Sequence, residues 1–159
     1  MHKKGFIYHR LGFPVVLHNF RMKKYWGEEM PDLNYNHLKR AVIELLASKP
    51  EPMTGNELRF VRQYFECNYT DFAKHFGQSR QAVAKWESKG DDLSLITPST
   101  ELHIRLFILD NLKASNQKFR AAFHQFDQST ALKKKRPKEE PVALSITPNA
   151  LRTSELSCK

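Results

Sequence analysis

Residues 68–87 read NYTDFAKHFGQSRQAVAKWE, and this stretch decides the fold. Asn68 and Ser79 carry side chains that commonly cap helix N-termini, and each precedes apolar residues at helical spacing. Gly77 lies between the two segments, where a helix that has ended favours a residue that tolerates a left-handed backbone. The pattern therefore predicts two short helices joined by a tight turn, spanning residues 68–76 and 79–89.

Apolar spacing predicts further helices on both sides of this pair. Thr54 and Glu57 fit a capping box, in which each residue satisfies a backbone N–H of the other. The predicted helices cover residues 32–48, residues 54–65, a segment that follows Pro98, and residues 116–126. In the helix after Pro98, the spacing predicts an apolar side that consists of four leucines and is widened by three further residues: Leu102, Leu106, Leu109 and Leu112, with Ile104, Phe107 and Ile108.

The two ends of the chain have a different composition. Residues 6–27 contain short β-branched and aromatic runs interrupted by Gly12 and Pro14, which predicts two or three short strands. From residue 128 onward the chain is rich in Pro, Ser and Thr and includes a basic run, which predicts a flexible tail. The predicted fold class is mainly α, in three parts: a β-rich segment with one helix (1–50), a helical domain (51–127) and a basic tail (128–159).

The chain of 159 residues has 26 Lys+Arg, 17 Asp+Glu and a net charge of +9. Residues 1–50 contribute +5, residues 51–127 contribute zero, and residues 128–159 contribute +4. A basic excess of this size indicates a polyanionic partner, most often nucleic acid. The excess lies in the flanks and not in the predicted helical domain.

Other classes of protein have no support in the sequence. Two cysteines, Cys67 and Cys158, make neither a disulfide framework nor a structural zinc site. The seven histidines show no paired ligand spacing, and there is no Gly-rich phosphate loop or nucleophile elbow, so neither an enzyme nor a cofactor is expected. Without an apolar run of about 18 residues or a signal core, we expect no membrane association and a cytoplasmic location.

Residues 53–91 resemble the Cro/XRE class of helix-turn-helix regulators. The matching features are Phe72-Ala73, the turn at Gly77, Val83 followed by Trp86-Glu87, and the pair Arg62 and Glu87. The resemblance implies a five-helix domain in which Arg62 and Glu87 form a structural ion pair. The layout with a β-rich segment upstream is similar to the MqsA/HigA-type antitoxins, but the cysteines of their zinc module are absent.

The resemblance also implies which residues contact DNA. Arg80, Gln81 and Lys85 correspond to the side of the second helix that faces the major groove, where Arg and Lys suit guanine and Gln suits adenine. Five residues at the two helix starts are candidates for phosphate contacts, with simple helix capping as the alternative: Asn68, Tyr69, Thr70, Gln78 and Ser79. Trp86 is expected in the core and not in contact with bases.

Two positions depart from the family pattern. Glu66 replaces the glycine that usually follows the first helix, which costs about 1 kcal/mol if the backbone there is left-handed. Tyr69 replaces a glutamine that commonly contacts a phosphate. Outside the motif, the aromatic residues of the last helix form either a dimer seam or an intramolecular packing face: Phe119, Phe123 and Phe126.

These observations predict a sequence-specific DNA-binding transcriptional regulator that acts as a homodimer on an inverted repeat. Double-stranded DNA is the expected partner, and the basic run Lys133–Lys138 is expected to add salt-sensitive affinity. The alternative function is an antitoxin that binds a small toxin protein through residues 6–34 or the tail and represses its own operon. A helical scaffold that binds no DNA is a third hypothesis.

Overall fold

The computed structural model describes residues 5–126, 141 and 143–151. This part of the chain is mainly helical and divides into two compact units: residues 5–42 with 143–151, and residues 43–126 with 141. The helices are α1 (Tyr35–Ser48), α2 (Gly55–Tyr64), α3 (Tyr69–His75), α4 (Arg80–Glu87), α5 (Pro98–Asn111) and α6 (Asn116–Phe126). The strands are β1 (Phe6–Tyr8), β2 (Val15–Leu17), β3 (Met22–Tyr25), β4 (Glu28–Pro31) and β5 (Leu144–Ile146). Helix α1 begins in the first unit and ends in the second.

The first unit contains a three-stranded sheet in the order β1-β2-β5. Strand β1 pairs with β2 in antiparallel orientation, and β5 pairs with the other edge of β2 in parallel orientation. Strand β2 buries Val15 and Leu17, and β5 buries their partners Leu144 and Ile146. Since alternate residues of a strand point to the same face, one face of this sheet is apolar.

Within the predicted flexible tail, residues 144–146 form strand β5, so the prediction is wrong for this short segment. Leu144 and Ile146 are separated by Ser145, so the two apolar side chains reach the same face of the sheet and are buried there. Three residues are too short for their alternation to predict a strand, and the partner that stabilises β5 lies far away in sequence. The basic run Lys133–Lys138 lies outside the described residues.

The β-rich segment is also longer than predicted. It contains four strands and extends to Pro31, because β3 and β4 form an antiparallel hairpin that the alternation of apolar residues does not indicate. The side chains of β3 are all exposed, so no buried stripe marks it in the sequence. Helix α1 then begins after Asn34, whose side chain accepts hydrogen bonds from the backbone N–H groups of Asn36 (2.9 Å) and His37 (3.2 Å).

Helix α5 buries Ile104, Ile108 and Leu109 of its predicted apolar side, but not all of the predicted leucines. Leu102 and Leu106 are only partly buried, whereas Ile104 and Ile108 are fully buried. Arg105 shares this buried face, because its guanidinium donates to the carbonyl oxygens that end α1 and begin the following connector. Its acceptors are Leu46 O (2.7 Å), Lys49 O (2.8 Å), Glu51 O (2.8 Å) and Glu101 Oε1 (2.7 Å).

A second buried pair lies at the start of α2. Lys49 Nζ contacts Glu57 Oε2 at 2.6 Å, and both side chains are buried. The same carboxylate accepts the backbone N–H of Thr54 at 2.9 Å, while Thr54 Oγ1 accepts the N–H of Glu57 at 3.2 Å. The capping box predicted from the sequence is therefore present, and it also contains the countercharge of a buried lysine.

We expect Ile146→Ala to lower the free energy of unfolding by about 2–5 kcal/mol, because it leaves a cavity on the buried face of the sheet. Urea unfolding followed by circular dichroism measures the change. The matched control is Ser145→Ala on the exposed side of the same strand, for which we expect a change below about 0.5 kcal/mol. Equal effects of the two substitutions would contradict the assigned register of β5.

Candidate nucleic-acid interface

Helices α3 and α4 are joined by a tight turn that is closed by backbone hydrogen bonds from Gly77 and Gln78. Gly77 has φ +62°, and its N–H donates to Lys74 O at 3.3 Å. The N–H of Gln78 donates to Ala73 O at 2.9 Å, which completes a Schellman motif at the end of α3. Ser79 then caps α4, because its Oγ accepts the N–H of Ala82 at 3.1 Å. This local chemistry fixes where one helix ends and the next begins.

Helix α4 has one buried side and one exposed side. Val83 and Glu87 are buried, and they lie one turn apart on the inner side. Arg80, Gln81 and Lys85 are all exposed on the outer side. Within the described part of the chain, the side chains of these three residues form no hydrogen bond or ion pair. All three residues lie on the exposed side of α4, and their donors remain available for a ligand.

Trp86 is less buried than predicted. Its neighbour Val83 is inaccessible to solvent, whereas Trp86 is only half-buried at the edge of α4. The start of α2 approaches this edge closely, because a Cβ added at Gly55 would lie 2.6 Å from the carbonyl oxygen of Trp86. Gly55 is therefore required for the close packing of α2 against α4, which the sequence analysis did not predict. The capping-box pattern constrains Thr54 and Glu57 and places no requirement on the residues between them.

Arg62 and Glu87 form an ion pair between α2 and the end of α4. Arg62 Nε donates to Glu87 Oε1 at 2.6 Å, and Nη2 donates to Oε2 at 3.1 Å. The Glu87 side chain is 1% exposed and that of Arg62 is 11% exposed. The hydrogen bond to Glu87 raises the pKa of Arg62 above its ordinary value, so the guanidinium stays charged at any physiological pH. Arg59, which is 45% exposed, contributes a longer contact of 3.3 Å.

The candidate phosphate-contacting residues have different structural roles. Asn68 caps α3, because its Oδ1 accepts the N–H of Asp71 at 2.8 Å. The ring of Tyr69 packs against the guanidinium of Arg62, whose central carbon lies 4.2 Å from the ring centroid. Thr70 is exposed, and Gln78 is partly buried with a long contact of 3.4 Å to Thr100 Oγ1. Asn68 and Ser79 therefore both cap helices in the structure. A contact of either residue with phosphate stays a prediction.

The stacking of Tyr69 on Arg62 is a contact that the sequence did not indicate. Tyrosine was expected only as a substitute for a phosphate-binding glutamine. The structure instead places its ring against a cation that already binds Glu87, and Arg62 Nη1 also donates to Cys67 O at 3.0 Å. One arginine therefore contacts α4, the turn before α3 and the first residue of α3.

Helix α6 packs on α5 through part of its apolar side. Ala122 is buried and Phe119 is partly buried, whereas Phe123 is exposed. Nothing is described of the Phe126 side chain. Intramolecular packing therefore accounts for Phe119 and Ala122, and Phe123 is left for the predicted dimer seam.

Metal and membrane sites find no support in the described residues. Among them, no three His, Cys, Asp or Glu side chains are grouped as a metal ion requires. No helix in this part of the chain combines the length and the apolar surface needed to cross a bilayer. Burial raises the pKa of the Cys67 thiol, which disfavours the reactive thiolate.

Comparisons of the chain with protein-family models, curated proteins and solved structures found no match.

We expect Glu87→Gln to destabilise the protein by about 3–5 kcal/mol, because it leaves the mostly buried Arg62 without its countercharge. Thermal or urea unfolding of the full chain measures the loss. Arg59→Gln is the control, since an exposed arginine at the same carboxylate is worth at most about 1 kcal/mol. If the two variants lost equal stability, Arg62 would not be the main partner of Glu87.

Glu66 has φ +54° at the end of α2, in a Schellman motif where its N–H donates to Gln63 O at 3.0 Å. We expect Glu66→Gly to stabilise the protein by about 0.5–1 kcal/mol, because glycine has no side-chain clash in this conformation. Gln63→Gly, three residues earlier within the helix, should destabilise it by about 1 kcal/mol. Differential scanning calorimetry measures both, and shifts of the same sign would contradict the strain at Glu66.

Proposed function

We propose that this chain is a sequence-specific DNA-binding regulator of transcription, of the Cro/XRE helix-turn-helix type, in which α4 reads the major groove. The observation that carries the proposal is the outer side of α4, where Arg80, Gln81 and Lys85 are exposed without intramolecular partners in the described chain. Arginine and lysine can donate to guanine, and glutamine can form two hydrogen bonds with adenine. The opposite side of the same helix is held by Val83 and Glu87, so these donors have a fixed orientation.

The dimensions of α4 suit this role. An α-helix with its side chains is about 10–12 Å across, which fits the major groove of about 12 Å, and the eight residues of α4 form about two turns that can lie in it. The starts of α3 and α4 add backbone N–H groups at the exposed residues Thr70 and Arg80, where a helix N-terminus favours a phosphate. Specificity would come from α4, and general affinity from the basic residues outside the neutral helical region.

A single helix of this length reads too few base pairs to select an operator. We therefore propose a homodimer that binds an inverted repeat, with half-sites about 34 Å or a multiple of it apart. The exposed ring of Phe123 on α6 supports a contact between two copies at this helix. The proposed action is control of a promoter by the bound dimer.

Selection of duplexes from a randomised DNA pool, followed by sequencing, tests the proposal on the full chain. The wild type should enrich one inverted-repeat motif. The variant Arg80→Ala/Gln81→Ala should bind that motif about 30-fold to 10,000-fold more weakly, because each of the two lost base contacts costs about 1–3 kcal/mol. Circular dichroism should be unchanged, since both side chains are exposed and make no internal contact.

The matched control is Gln117→Ala/Lys118→Ala, which removes one amide and one positive charge from adjacent exposed residues of α6. This variant should retain the motif of the wild type with at most a small loss of affinity. The absence of any enriched motif, or an unchanged motif and affinity in Arg80→Ala/Gln81→Ala, would overturn the proposal.

A further inference from the structure

The hairpin of β3 and β4 exposes aromatic side chains at its tip. Tyr25 is exposed, and Trp26, the first residue of the two-residue turn, is fully exposed. Met22 at the other end of β3 is exposed as well. Tryptophan has a large apolar surface, so a fully exposed Trp26 ring gives up a large stabilisation that burial would provide. Exposed clusters of Trp, Tyr and Met are typical of protein–protein contact sites.

The backbone of this turn is unfavourable for the residue it contains. Trp26 has φ +48° and Gly27 has φ +90°, the signature of a type I′ turn between Tyr25 and Glu28. Asparagine and glycine are the residues that suit its first position, and a bulky residue with positive φ is an outlier. The chain therefore carries a strained and fully solvated tryptophan at a position where asparagine would fold better. Such an outlier indicates a role outside folding.

Charge around the tip selects the class of partner. Arg21, Lys23 and Lys24 on or beside β3 are balanced by Glu28, Glu29 and Asp32 on or beside β4. Lys23 Nζ contacts Asp32 at 2.8 Å, and Lys24 lies opposite Glu29 in the register. The turn itself, from Tyr25 to Glu28, carries one charged side chain, the carboxylate of Glu28, so the tip presents no cation to a phosphate of a nucleic acid or of an anionic bilayer.

We propose that the hairpin tip is a protein-docking site, in which Trp26 inserts into an apolar pocket of a partner protein whose rim carries Lys or Arg side chains. Trp26 supplies the apolar anchor, Tyr25 extends the contact, and Glu28 pairs with the basic rim. The two-residue turn fixes the backbone from which the Trp26 ring projects, which reduces the backbone entropy lost on binding. This site is independent of the proposed DNA-binding function.

A photo-crosslinking amino acid tests the site in the full chain. We replace Trp26 with p-benzoylphenylalanine, produce the protein in the organism that encodes it, and irradiate the cells. The control is the same substitution at Asp110, an exposed residue of α5. We expect one protein to be crosslinked from position 26 and not from position 110. That protein is then purified and titrated by calorimetry with the uncrosslinked chain.

Trp26→Asn separates a binding role from a structural one. It creates the Asn-Gly sequence that favours a type I′ turn, so the free protein should be at least as thermally stable as the wild type. Its affinity for the crosslinked partner should nevertheless fall by about 30-fold or more, the size of an aromatic hot spot. A structural role for Trp26 would give the reverse: lower stability with unchanged affinity.

The other results overturn the proposal. They are crosslinks to nucleic acid or lipid instead of protein, no crosslink at all, or an affinity loss below about 30-fold in Trp26→Asn. Each of these outcomes leaves the DNA-binding function untouched, because that function is judged by the variants of α4.

Discussion

The guanidinium of Arg62 contacts three successive elements, and the position of α4 depends on it. It binds the carboxylate of Glu87 with two hydrogen bonds, donates to the carbonyl of Cys67 before α3, and lies against the ring of Tyr69. Glu87 ends α4, where the helix dipole disfavours a negative charge. Burial of that carboxylate is therefore tolerated only with a cation held in place. The result is a fixed orientation of the helix more than a gain in stability.

Two further buried charge pairs fix the relative positions of the end of α1, the connector that follows it, and α5. Arg105 satisfies carbonyl groups that the end of α1 and a proline-containing connector leave unpaired, and Glu57 joins Lys49 to the cap of α2. Unpaired carbonyls in a protein interior are costly, and one arginine has enough donors to bind several of them. Polar chemistry, and not only apolar packing, therefore sets how α5 lies against this connector.

The sequence predicted the local structure well, because local structure follows from neighbouring residues. Capping side chains and Gly77 located α3 and α4 to within one or two residues. The family resemblance pointed to Arg80, Gln81 and Lys85, which all lie on the exposed side of α4. What it missed depends on distant partners. Arg105 is buried on α5 because it binds three carbonyl oxygens that lie more than 50 residues earlier in the chain.

The same limit applies to β3, β5 and the contact of Tyr69 with Arg62. Strand β5 needs β2 as its neighbour, and β3 exposes all its side chains, so neither has a recognisable periodicity. The family resemblance suggested a role for Tyr69 in binding phosphate, but no spacing rule places its ring on an arginine. Sequence patterns that span one or two helical turns cannot predict contacts between residues that are distant in the chain.

The parallel pairing of β2 with β5 has a consequence for how the chain acquires its structure. Residues 15–17 can complete their ladder only when residues 144–146 are available, and a pairing over so long a separation is slow to form. During synthesis, α2, α3 and α4 have all left the ribosome before β5 is made. Until then, one edge of β2 presents unpaired backbone groups, which is the part of a nascent chain most prone to pair with a wrong neighbour.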